Sequence, residues 1–201
     1  MNEHDERFSE FERVRDKGIK EDTKRAVSKF IDGFENFQQK SEWTKSYLDG
    51  VIAEKDYVPL IRYEIYAEVI FPVLAEGAAR DDVWSWLWIY RTEQNFWQGE
   101  TSFAKDFDEP EEGLLLRLYR LAPDDPTVRT VYLNHIIRFL DHCVHEWPAG
   151  ILYGMNGATP EQCEELHGAV KTARNLDGDK EFEAFLADFE TKLIAYQDRL
   201  K

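Results

Sequence analysis

Residues 81–97 read DDVWSWLWIYRTEQNFW, and they hold four of the six tryptophans together with Leu87, Ile89, Tyr90 and Phe96. A helix advances 100° per residue. On that wheel Val83, Trp86, Leu87, Tyr90 and Trp97 share one face, while Trp84 and Trp88 fall on another, beside Arg91 and Asn95. A helix this aromatic on two sides needs cover on both. The first face is expected in the core. Trp84, Trp88 and Arg91 are either covered by a second neighbour or offered to a partner, because Trp and Arg dominate interface hot spots. They are candidate partner-binding residues.

Working outward, the preceding segment 59–80 is apolar nearly all round, with Tyr63, Tyr66, Ala67, Ile70, Val73 and Leu74 on its broad face. Pro59 opens it, and Pro72 inside it is expected to kink it. Glu64 and Glu68, one turn apart, read as a solvated strip with Arg62 or Arg91 as ion-pair partners. Further upstream, 21–48 reads as one long helix with a Val27, Phe30, Ile31, Phe34, Phe37 stripe, weakened by Gly33 and stopped by Asp49-Gly50. Residues 3–17 form a charged first helix. The first 20 residues are expected to pack loosely.

Downstream, 99–110 is a loop with a turn of helix at 101–106, and 111–121 is a short leucine-faced helix. Asp125 and Pro126 are the N-cap and first position of the next helix, 127–147. One side of that helix carries Leu133, Ile136, Leu140 and Cys143. The other carries His135, Arg138, Asp141, His142 and His145. Thr159-Pro160 starts a helix over 161–175. The last helix has a clean stripe of Phe182, Phe185, Leu186, Phe189, Leu193, Tyr196 and Leu200. No stretch alternates with period two, so no strands are expected. The fold class is all-α: a single compact domain of seven or eight helices in an antiparallel, helical-hairpin-like arrangement.

The segment 118–133, LYRLAPDDPTVRTVYL, is similar to the helix–turn–helix joint of tetratricopeptide-type repeats. The resemblance covers this joint only. The repeat's Trp-Leu-Gly-Tyr pattern and its 34-residue period are missing. It implies stacked helical hairpins, and a helical scaffold as one alternative function.

The chain of 201 residues carries 40 acidic and 25 basic side chains, for a net charge of −15. That field disfavours nucleic acid and anionic membrane, and it steers a basic partner. The N-terminus has no apolar signal region, and no apolar run is long enough to span a bilayer. Cys143 and Cys163 do not make a disulfide framework. A cytoplasmic location with free thiols is the expectation. A nucleophile elbow, a P-loop and a dinucleotide fingerprint are all missing from the sequence.

Two constellations remain. The loop 148–158 sets Ile151, Leu152, Tyr153 and Met155 between glycines, an apolar content that either tucks back or offers a contact surface. His142 and His145 at one helix end, with Glu146, face Cys163 and His167 at the next helix start, with Glu164. Imidazole, thiolate and carboxylate at these spacings suit zinc or iron, as an alternative metal-dependent enzyme. The preferred reading needs no cofactor. It is an acidic cytosolic binding protein, most concretely an immunity or antitoxin-type protein that neutralises a basic protein toxin by direct binding.

Overall fold

The computed structural model describes residues 3–54, 61–97 and 113–200. The expected helix start at Pro59, the loop at 99–110 with its helical turn, and the start of the helix at 111 lie outside the described residues. Among the described residues the regular elements are helices, apart from one ribbon of two very short strands. Among the described residues, no helix is long and apolar enough to cross a membrane. Contacts divide the chain into two units, Met1–Leu121 and Ala122–Lys201. The joint that resembles a tetratricopeptide turn falls at that division.

In the first unit, α1 (Glu3–Arg15) and α2 (Lys20–Ile31) form a hairpin. The acids Glu3, Asp5 and Glu6 open α1, and Arg13 and Arg15 close it, which suits the helix dipole. Far from packing loosely, α1 is anchored by Phe8 and the buried Phe11. Phe8 meets Phe30, Trp43 and Tyr47 at centroid separations of 5.1–5.5 Å. The expected long helix over 21–48 is two helices, α2 and α3 (Phe37–Glu54). The chain turns at Asp32-Gly33, where the Arg7 guanidinium occupies the space that a Cβ at position 33 would need. Asp49-Gly50 does not stop α3, which runs on through it.

The next segment is continuous: α4 (Tyr63–Ile65), a π-helical turn (Tyr66–Ile70) and α5 (Phe71–Ala78). The wide turn falls immediately before Pro72, which sits at the start of α5. The backbone thus adjusts to the proline by loosening the turn ahead of it. Arg62 and Glu64 form the expected ion pair, at 2.8 Å.

The Trp-rich stretch begins at Asp82, whose carboxylate caps α6 (Val83–Arg91) by accepting from the Ser85 N–H at 3.0 Å. Contacts with α5 and with α8 (Leu114–Leu121) cover it, so Trp86, Leu87, Trp88 and Ile89 are all buried. The helix stops at Thr92, whose backbone leaves the helical region and whose hydroxyl donates to the Trp88 carbonyl at 2.6 Å. A separate short helix, α7 (Glu93–Phe96), follows. The break corrects the sequence reading. Trp97 no longer lies in phase with Trp86, and it is 49% exposed, with its ring against the edge of Phe96.

In the second unit, α9 (Pro126–Cys143), α10 (Pro160–Leu176) and α11 (Glu183–Leu200) pack with α10 against both others. Asp125 caps α9 as expected, accepting from Thr127 N and Val128 N at 2.8 and 3.0 Å. Thr159 and Gln162 form a reciprocal capping box on α10. Leu140, Cys143, Leu166, Ala173, Phe189 and Leu193 are fully buried between these helices. The Asp177 carboxylate turns the corner into α11 by accepting from Glu181 N and Phe182 N at 2.9 and 2.8 Å. The expectation of no strands fails at one place. Between α9 and α10, β1 (Leu152–Tyr153) pairs antiparallel with β2 (Asn156–Gly157), Leu152 opposite Gly157.

Candidate functional site

Among the described residues of the second unit, the ribbon carries the most exposed large apolar side chain, Met155, ahead of Ile194 and Leu200 on α11. Its base is fixed at Ile151, which is fully buried and whose carbonyl accepts from Ala158 N at 2.8 Å. Ile151 is therefore an anchor and not a contact residue, which corrects its assignment to the partner-binding set. Gly154, with φ +65°, takes the left-handed position that a two-residue hairpin turn requires. Met155 follows it at the tip and is 91% exposed.

Three helices hold the ribbon. From α9, the ring of Phe139 packs edge-on with Tyr153 at 5.8 Å, and His142 Nε2 donates to the Gly154 carbonyl at 3.3 Å. From α10, Glu165 accepts from the Tyr153 hydroxyl at 2.5 Å. That carboxylate partner, helped by partial burial, raises the phenol's pKa above its ordinary value. From α11, Tyr196 donates to the Ala158 carbonyl at 3.1 Å. Leu152 and Tyr153 are half-buried in this frame, and only Met155 is free of it.

Beside the ribbon, the first two turns of α10 expose Glu161, Glu164 and Glu165. Glu164 accepts from Gln197 Nε2 at 3.2 Å. Among the described residues, none of the three is paired with lysine or arginine. Hydrogen bonds from its own backbone N–H and from the Thr159 hydroxyl hold the Glu161 carboxyl below its ordinary pKa. A groove of about 410 Å³ runs past Pro160, Glu161, Glu164, Gln197 and the part-exposed Leu200. The sequence reading missed Glu161, Glu165 and this groove. The available signal was the acid-rich helix start Pro-Glu-Gln-Cys-Glu-Glu behind a threonine cap.

The structure does not gather the four candidate metal ligands. His142 is used by the Gly154 carbonyl, and His145 is exposed. His167 Nε2 lies 3.0 Å from Gln197 Oε1. Cys163 is fully buried, and burial with nearby Glu164 and Glu161 pushes its thiol pKa up, away from the thiolate that a metal needs. Among the described residues, no three His, Cys, Asp or Glu side chains are placed to hold a metal ion.

The other candidate set lies in the first unit. Trp88 is 1% exposed, because α6 is covered by α5 and α8, so it is a core residue and leaves the surface set. Trp84 is half-buried. Its indole N–H donates to Asp49 Oδ1 at 2.9 Å, and Lys45 Nζ sits 5.9 Å from its ring centre. The Arg91 guanidinium stacks on Trp88 at 5.3 Å. Comparison with protein-family models, with curated proteins and with solved structures finds no match for the chain.

Proposed function

We propose that the chain captures a basic protein through the hairpin tip and the first turns of α10, in the manner of an immunity or antitoxin protein that neutralises a cationic toxin by covering it. The observation that carries the reading is Met155, held 91% exposed on a ribbon that three helices pin, next to carboxylates with no cationic partner among the described residues. A pre-shaped apolar tip loses little freedom on docking. The thioether is unbranched and polarizable, so it adapts to a partner's pocket. Glu161, Glu164 and Glu165, within a net charge of −15, favour encounter with positive surface and raise the association rate at low salt.

The test is capture of partners from a lysate of the protein's own cell at low and high salt. It uses wild type, Met155→Ser, and a triple Glu161→Lys, Glu164→Lys, Glu165→Lys variant. The expected result is a basic protein whose capture weakens with salt, weakens in the triple variant and dissociates faster from Met155→Ser. Capture of an acidic protein with no salt dependence, or capture that neither variant changes, defeats the reading.

A further inference from the structure

Five arginines are half-buried among the described residues, and four of them have an acceptor. Arg7 donates to Glu3, Arg117 to Asp81, Arg129 to the carbonyls of Pro123 and Asn175, and Arg174 to Glu183 and Glu190. Arg91 is the exception. Its guanidinium lies on the Trp88 ring at 5.3 Å and makes no hydrogen bond to any described residue. Five N–H donors on a charge partly withdrawn from water are costly to leave without a protein acceptor. Burial lowers the Arg91 pKa from its ordinary value, against the opposing field of Asp49. Asp49 acts on Arg91 through its field but forms no hydrogen bond with it, and its Oδ1 accepts from the Trp84 indole N–H at 2.9 Å.

We infer that Arg91, with Trp88 beneath it and Trp84 and Lys45 alongside, binds the carboxylate of a small organic acid. A guanidinium presents two parallel N–H groups that match a carboxylate. Asp49 and the overall charge of −15 disfavour a dianion such as phosphate at this place. The half-buried Trp84 indole supplies apolar surface for the acid's organic body, and Lys45 adds a second positive charge over that ring. The site belongs to the first unit and the hairpin to the second, and its ligand is opposite in charge to the proposed protein partner.

The experiment titrates the ¹⁵N-labelled full chain with sodium benzoate at constant ionic strength, following the Arg91 Nε–H and Trp84 indole N–H resonances. Sodium chloride, benzamide and inorganic phosphate are titrated in parallel. Benzoate is expected to give saturable shifts at both resonances, benzamide and chloride none, and phosphate weaker ones. Arg91→Gln is expected to abolish the Trp84 shift and Arg91→Lys to weaken it several-fold, with circular dichroism confirming the fold of each. Shifts that are linear in benzoate, shared by benzamide, stronger with phosphate, or retained in a folded Arg91→Gln variant overturn the inference. Where Arg91→Gln does not fold, the benzoate–benzamide contrast and Arg91→Lys decide it.

Discussion

Lys40 Nζ donates to the main-chain carbonyl of Glu68 at 2.8 Å. In an α-helix that carbonyl accepts from the N–H of residue 72, and residue 72 is proline. The lysine on α3 therefore serves an acceptor that the π-helical turn and Pro72 leave open. Lys40→Met should cost about 1 kcal/mol in urea unfolding. In a Pro72→Ala background, which restores the N–H, the same change should cost clearly less. Equal costs in the two backgrounds would show that the lysine and the proline are uncoupled.

Asn95 holds the chain at Ile61 as a neighbouring strand would. Its Oδ1 accepts from Ile61 N at 3.1 Å and its Nδ2 donates to Ile61 O at 2.6 Å, with the residue buried. Asn95→Ala removes both partners from buried backbone groups. A loss of roughly 3 kcal/mol is expected in denaturant unfolding. A loss under about 0.5 kcal/mol, the level of an ordinary surface change, would mean that water replaces the side chain without penalty.

Asp177 offers a matching test in the second unit. Its two oxygens accept from the N–H groups of Glu181 and Phe182 ahead of α11, and the residue is buried. Asp177→Ala leaves both donors without a partner and should cost about 2 kcal/mol. Hydrogen exchange at those two amides should quicken well before the rest of α11 is affected.

Helix existence and most buried faces were legible in the sequence, because period-3.6 stripes such as Leu186, Phe189, Leu193 and Tyr196 are long enough to define a face. The helix breaks were harder to read. Thr92 ends α6 through a bond from its own hydroxyl and a contact with the Tyr66 hydroxyl 26 residues earlier, which only the tertiary structure supplies. An unbroken helical wheel therefore puts Trp97 on the wrong face. Gly33 was legible as a weak point, but the Arg7 guanidinium that lies against it comes from another helix. The ribbon was invisible to periodicity, since strands of two residues have none. Arg91 was singled out by residue type alone, and its lack of an acceptor is a property of three-dimensional placement.

Alkali should destabilise the first unit in a defined window. Burial pushes the Tyr47 and Tyr66 phenols from an ordinary pKa of 10 up to about 12. A pKa raised in the folded state favours the neutral form, so the stabilisation is complete below pH 10 and is lost as pH rises from 10 towards 12. Unfolding free energy should fall across that range, and absorbance of the phenolate should show at least two late-ionising tyrosines. Tyr47→Phe and Tyr66→Phe should each flatten the decline. An unchanged pH profile in both variants would place the alkaline loss on other groups.

The hairpin should open locally before its unit unfolds, and Gly154 provides the means to show it. An alanine there must adopt φ near +65°, which costs an L-residue about 1 kcal/mol or more. The strain falls on a ribbon closed by two residue pairs, while the buried helices are untouched. Gly154→Ala should therefore leave global denaturant unfolding nearly unchanged. It should speed hydrogen exchange at the Ala158 amide, which bonds the Ile151 carbonyl, about tenfold per 1.4 kcal/mol of strain. Met155→Ser should leave that exchange rate as it is, because the Met155 side chain is solvent-exposed. The two variants thus separate the shape of the ribbon from the chemistry of its tip. If a partner binds through a pre-shaped ribbon, Gly154→Ala should weaken binding about as much as it raises the cost of closing the ribbon. Full affinity in the presence of faster Ala158 exchange would show that binding does not use the closed ribbon.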